Sequence, residues 1–255
     1  MIWSAAQLRT CRAVPVEPAE IVYAFVSLEG EPSANDEALL DEKELSRSRR
    51  FVRPIDRRRY VLAHAALRAL LARCLGVEVA EVRYESGIYG KPRLASGLLP
   101  FDFNLSHSEG LALLAVARQR SVGVDIERLR DMPDALNMAD LHFSAAERRD
   151  LQSLPRSERP AAFLRCWTRK EAIVKATGEG LRRALDDFDV DLAPGSMSSL
   201  TRYEGRPGAE AGWSLRDLPS PPGYVAAGAV SVGQGILPQW RELSSDEVGV
   251  VEAGG

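Results

Sequence analysis

Two short stretches carry carboxylates at spacings that could do chemistry. In Val122-Gly123-Val124-Asp125-Ile126-Glu127 the apolar residues alternate with Gly123, Asp125 and Glu127, so on a strand both carboxylates share one face. Two carboxylates that close repel unless a cation sits between them. The second stretch, Phe163 to Gly178, has good helix formers, no internal Gly or Pro, and Gly178 placed to stop it. At 100° per residue Phe163, Cys166, Trp167, Val174 and Thr177 form an apolar arc. Glu171 falls on the flank of that arc beside Trp167 and Leu164, and Lys175 follows one turn later. Taken singly, the plainer readings are a solvent-facing strand edge and a solvated Glu–Lys pair worth about 0.3–0.5 kcal/mol. A carboxylate flanked by Trp and Leu nevertheless needs a cationic partner, because burying an unpaired charge is costly.

Together Asp125, Glu127 and Glu171 offer hard oxygen ligands, with no His or Cys ligand evident beside them. Such a set suits Mg²⁺, which keeps waters and takes phosphate oxygens to complete its octahedron. Lys91, His107, Lys175 and the Arg-rich stretch 47–59 supply the positive groups that a multi-phosphate ligand needs. Arg57, Arg58 and Arg59 crowd the first turn of a helix, where cations oppose the dipole, and an outside anion would compensate. No Walker loop is present, so this is not an ordinary P-loop nucleotide site. Residue chemistry thus reaches Mg²⁺-dependent handling of a pyrophosphate compound.

The elements that must hold these residues can be read in order. Residues 21–28 make a core strand, and a charged helix runs from Asp36 to Phe51. After Pro54, Asp56 caps a helix that ends near Gly76, with His64 as a satisfied core histidine on its apolar face. A strand at 81–84 and a loop carrying Lys91 follow. From Phe101 the alternation predicts a meander of three antiparallel strands, the third of them holding Asp125 and Glu127. Residues 128–143 read as irregular, and Ser144 with Glu147 makes a capping box. Past Gly178 come a strand at 188–192, a flexible Ser/Gly/Pro loop at 193–212 and a final antiparallel pair at 213–218 and 224–232. Each half offers a charged helix, a Pro-containing break, a longer helix ending at Gly76 or Gly178, and a strand. This echo suggests a duplicated architecture, and the polar, acidic residues 241–255 read as a loose tail.

Composition narrows the classes. A chain of 255 residues with a formal net charge of −3 is not built to coat nucleic acid. Cys11, Cys74 and Cys166 are isolated and cannot all pair, a cytosolic pattern, and Cys74 and Cys166 read as small hydrophobes on apolar helix faces. No apolar run approaches the ~18 residues of a spanning helix, and no signal-peptide core is visible, so a cytoplasmic protein without membrane contact is expected.

Four motifs occur in series: Gly90-Lys91-Pro92; Phe103 to Ser108 (Phe-Asn-Leu-Ser-His-Ser); Gly123 to Glu127 (Gly-Val-Asp-Ile-Glu); and Trp167 to Lys175 with Gly178-Glu179-Gly180-Leu181. This series resembles the 4′-phosphopantetheinyl transferases of the surfactin-synthetase type, over about Leu45 to Val232. The resemblance implies an α+β fold, a pseudo-dimer of two similar α/β halves at 1–118 and 119–240 with the active site in the cleft between them, acting as a monomer. It implies coenzyme A as donor, a serine of apo acyl or peptidyl carrier proteins as acceptor, and Mg²⁺ as cofactor. Asp125, Glu127 and Glu171 would hold the metal, Glu171 would also be the base, and Lys175 would neutralise the phosphates. Lys91, Ser106, His107 and Arg59, with Arg47 and Arg53, would hold the adenosine end and its 3′-phosphate. Glu44 departs from the pattern, standing where family members often carry a basic residue. Carrier proteins as a class present an apolar, acidic helix beside the serine. The apolar residues of 129–143, Met132 and Met138 among them, with Arg128, Arg130 and Arg148 as a basic rim, are a surface that could meet it.

Overall fold

The computed structural model describes residues 1–87, 89–95, 100–195, 200–203, 212–233 and 237–248. In chain order the first elements are β1 (Ile2–Trp3), α1 (Ala5–Arg9), β2 (Glu20–Ser27), α2 (Ala34–Glu37), α3 (Glu42–Ser48) and α4 (Pro54–Leu75). Then come β3 (Tyr84–Ser86), β4 (Pro92–Leu94), β5 (Phe101–Ser108), β6 (Leu111–Arg118) and β7 (Val122–Arg128). They are followed by α5 (Ala135–His142), α6 (Ala145–Ser153), α7 (Arg159–Thr177) and β8 (Phe188–Val190). The chain ends on β9 (Leu200–Tyr203), β10 (Trp213–Asp217), β11 (Tyr224–Ser231) and β12 (Gln239–Glu242). This is a mixed α/β chain, and no helix among the described residues is long and apolar enough to cross a membrane.

The chain divides into two units, one of residues 1–85, 92–119 and 239–255, the other of 86–91 and 120–238. The boundaries differ from a simple cut after residue 118 because two segments change unit. The loop that ends at Lys91 belongs to the second unit. The segment expected as a loose tail returns to the first, where β12 runs parallel to β2 and Leu243 and Val248 are buried. Apolar side chains decide the latter, since burying a leucine contributes about 1.5–3 kcal/mol. Residues 249–255 lie outside the described residues.

In the first unit β2 pairs antiparallel with β6, and β6 with β5 through a tight turn at Glu109-Gly110. Val22, Ala24 and Val26 of β2 and Ala112, Leu114 and Val116 of β6 share one core with Leu67, Leu70 and Leu71 of α4. The charged segment before α4 is two short helices, because it contains two capping boxes, Ser33 with Asp36 and Asp41 with Glu44, and each starts its own helix. α4 begins earlier than expected: Arg53 is its N-cap and Pro54 its first residue, where a missing N–H costs nothing. The strand expected at 81–84 is a 3₁₀ turn at Val79–Glu81 followed by β3.

In the second unit β7 does not complete a meander with β5 and β6. It pairs antiparallel with β11, in a sheet ordered β10-β11-β7. The reason lies in its polar face: Gly123, Asp125 and Glu127 turn towards α7, so β7 must join the sheet that α7 covers. Small residues make that packing close, with Ala172 and Ala176 of α7 in one core with Ala227 and Ala229 of β11. The segment expected to be irregular contains α5, which packs Ala135 and Ala139 into the same core. Phe143 stacks on Phe163 with ring centroids 4.9 Å apart. The capping box of α6 and the Gly178 stop of α7, at φ 71°, are present as read. Part of the 193–212 loop is β9, paired with β8, while residues 196–199 and 204–211 lie outside the described residues.

Candidate active site

The second unit holds the carboxylates, and their geometry starts from Gly123. A Cβ built there would lie 2.2 Å from Ala172 O and 2.3 Å from Ala176 N, closer than side chains approach backbone. Only glycine lets β7 meet the α7 backbone this closely. Two residues further along the same face, buried Asp125 comes against α7, and Lys175 Nζ donates to its Oδ1 at 2.6 Å. Glu127 follows on the same face, half-buried, its Oε2 accepting from Arg130 Nη1 at 3.0 Å.

Glu171 sits one turn before Lys175, half-buried. Burial pushes its carboxyl above the ordinary value; Lys175 opposes that, while Asp125 and Glu127 push it further up. Asp125 and Glu127 are thus within electrostatic reach of Glu171. Among the described residues, no three His, Cys, Asp or Glu side chains are gathered closely enough to hold a metal ion. The cation at Asp125 is the Lys175 ammonium, and Glu127 serves Arg130. In its chemistry the donor set, oxygen only and strongly anionic, fits a hard divalent cation.

Lys91 lies in this same unit. Its Nζ donates to the Val122 carbonyl at 2.8 Å. Its stem passes the left-handed Gly178, where an added Cβ would stand 3.4 Å from Lys91 Cδ.

The residues before Glu171 carry a signal that the helical arc obscured. Lys170 occupies the middle of the apolar arc and is fully buried, donating to the carbonyls of Leu185 at 2.6 Å and Phe188 at 2.5 Å. It also pairs with buried Glu147 at 2.8 Å. Glu147 accepts in turn from the amide of Val190 at 2.8 Å and closes the α6 capping box. Arg169, also fully buried, pairs with Asp217 of β10 at 2.7 Å. A lysine centred on an apolar stripe is itself a sign of a buried ion pair, and these two cations fix how α7 is rotated.

The remaining candidates belong to the first unit. Ser106 is buried and His107 exposed near the end of β5. Arg47 is exposed, its guanidinium 5.7 Å from the Tyr60 ring centre, and exposed Arg53 lies 3.8 Å from Asp56. Arg59 lies 3.4 Å from Glu29. Within the Arg57–Arg59 cluster, Arg57 faces Glu37 at 3.4 Å and Arg58 pairs with Glu31. Glu44 is a buried structural residue. It closes the α3 capping box, accepts from Arg68 Nε at 2.5 Å and meets His64 Nδ1 at 2.9 Å. Burial alone would raise its pKa, but His64 and Arg68 hold it below the usual range. The three cysteines are buried and free, and burial raises the Cys11 thiol to about 11.

Family models agree with the motif series. The 4′-phosphopantetheinyl transferase superfamily model matches residues 121–227, and a 4′-phosphopantetheinyl transferase N-terminal model matches residues 33–119. The 4′-phosphopantetheinyl transferase HetI of Nostoc sp. is 38% identical over 80% of this chain and 83% of its own length. The 4′-phosphopantetheinyl transferase Sfp of Bacillus subtilis is 28% identical over 70% of this chain and 78% of its own. The 4′-phosphopantetheinyl transferase AcpT of Salmonella typhimurium is 40% identical over 44% and 56% respectively. The chain belongs to the 4′-phosphopantetheinyl transferase family.

Proposed function

We propose that this chain transfers the 4′-phosphopantetheine arm of coenzyme A to a serine of apo acyl or peptidyl carrier proteins, releasing 3′,5′-ADP. The observation that carries the reading is the contact of Lys175 Nζ with Asp125 Oδ1 at 2.6 Å, which sets the carboxylates of β7 against the helix that carries half-buried Glu171 one turn before Lys175. Its family membership supplies the donor and the class of acceptor.

In this reading Asp125, Glu127 and Glu171 hold Mg²⁺, which when bound supplies charge neutralisation at the pyrophosphate. Glu171 takes the proton of the carrier serine hydroxyl as general base. The serine oxygen forms its bond to the β-phosphorus as the bond to the 3′,5′-ADP oxygen breaks. Lys175 turns its ammonium from Asp125 to the phosphate oxygens, where charge grows in the transition state. Ser106, His107 and Arg59 hold the adenosine end, with Arg47 and Arg53 at its margin. The family resemblance extends this reading to a pseudo-dimer of two similar halves that acts as a monomer.

The test is mass spectrometry of several apo carrier proteins incubated with coenzyme A, Mg²⁺ and this protein. A phosphopantetheine adduct on the carrier serine is expected, and it should disappear with EDTA. An unmodified panel, or full activity in EDTA, would overturn the reading or its metal respectively.

A further inference from the structure

Lys91 reaches two elements that carry the candidate catalytic groups. The first is β7. Ser121 O accepts from Ser231 N at 2.9 Å, so by the alternation of an antiparallel ladder the next carbonyl, of Val122, points away from β11. Lys91 Nζ donates to that carbonyl at 2.8 Å. The second element is α7, whose C-cap, Gly178, lies alongside the Lys91 stem. Gly87 N also donates to Lys91 O at 2.9 Å, which closes the loop that carries the lysine.

These contacts bracket the site from one end. Val122 is three residues before Asp125, and Gly178 three after Lys175. Between them lies Gly123, where β7 and α7 meet backbone to backbone. The separation of Asp125 from Lys175, and the place of Glu171 one turn back, depend on how that crossing is held. We infer that Lys91 is a positioning residue: it braces the start of β7 against the end of α7 and so aligns Asp125, Glu171 and Lys175. This rests on the proposed transferase reaction and revises the expectation that Lys91 serves coenzyme A binding. A shift of the order of an ångström between reacting groups slows chemistry far more than it weakens binding.

Two variants separate a brace from a phosphate ligand. Lys91→Met keeps the stem against Gly178 and removes the donor. Lys91→Gln removes the charge and keeps an N–H donor. For each, kcat, KM and calorimetric Kd for coenzyme A and its dephospho form are measured, with amide exchange across 122–127 and 171–178. The brace predicts that Lys91→Met loses about 10–100-fold in kcat, with little change in coenzyme A Kd and faster exchange in both segments. Lys91→Gln should recover part of both. Equal impairment of the two variants, with a selective loss of coenzyme A over dephospho-coenzyme A and unchanged exchange, would overturn the proposal. So would an unchanged kcat. If wild type modifies no carrier, the functional reading fails, and the exchange measurement alone still decides whether Lys91 braces the crossing.

Discussion

Lys175 Nζ lies 2.6 Å from Asp125 Oδ1, joining the helix and the strand that carry the candidate catalytic groups. The two partners are not equivalent. The Asp125 side chain is 7% exposed and that of Lys175 27%. A lysine freed of its partner can extend to water, whereas the buried aspartate cannot. Lys175→Met should therefore destabilise the metal-free protein more than Asp125→Asn does, towards the ~3–5 kcal/mol seen when a buried pair loses one member. Added Mg²⁺ should raise the Tm of Lys175→Met more than that of wild type, because a divalent ion replaces the missing cation. Thermal melts with and without Mg²⁺ check both statements. Absence of any Mg²⁺ effect on either protein would sink the three-carboxylate site.

Glu171 gives a prediction with a sign. In the metal-free protein its carboxyl is raised from 4.5, by burial first and then by Asp125 and Glu127. Between 4.5 and the raised value the folded protein holds more protons than the unfolded chain, so stability falls as pH rises through that window. Above the window, wild type bears a charged, half-buried carboxylate that Glu171→Gln lacks. In EDTA at neutral pH the variant should melt at or above the wild-type temperature, with the difference closing at acid pH. Its turnover with Mg²⁺ should fall by about 10²–10³. A variant that melts well below wild type at neutral pH would mean that Glu171 is a structural residue.

How far the sequence spoke for the site depended on whether a signal was local. α7 was legible because its period, its helix formers and the Gly178 stop all lie within one stretch. The shared face of Asp125 and Glu127 followed from alternation within β7. The partner of β7 did not, because pairing with β11 is decided by distant residues and by the close fit of Gly123 on α7. The Arg57–Arg59 cluster invited an anion, since its glutamate partners lie outside the helix, at Glu29, Glu31 and Glu37. Glu44 looked like a lost phosphate contact and is instead the acid that satisfies buried Arg68.

Gly123 should tolerate no side chain. In Gly123→Ala the new methyl meets Ala172 O and Ala176 N, backbone atoms that cannot turn aside. Overpacking of this kind costs about 1–3 kcal/mol, and here it also pushes β7 from α7. Chemical denaturation should show that loss. Turnover should drop further than stability, since Asp125 and Lys175 separate. A variant with wild-type stability and turnover would show that the crossing is slack.

The apolar segment after β7 divides once burial is known. Met132, Leu136 and Met138 are half-buried and pack against the core of the second unit. Leu141, by contrast, is 74% exposed on α5, and Leu129 is 39% exposed. Arg128 and Arg130, both exposed, flank Leu129. An apolar side chain between two arginines suits a partner whose docking helix is apolar and acidic, as carrier proteins present. Changing Met138 to Asp should therefore lower Tm, since it buries a charge where a thioether packed. Leu129→Asp and Leu141→Asp should leave Tm and coenzyme A affinity unchanged and raise KM for the carrier protein. The measurements are thermal melts, calorimetry with coenzyme A, and carrier titrations at saturating coenzyme A. If neither leucine variant changes carrier KM, the carrier docks on another face.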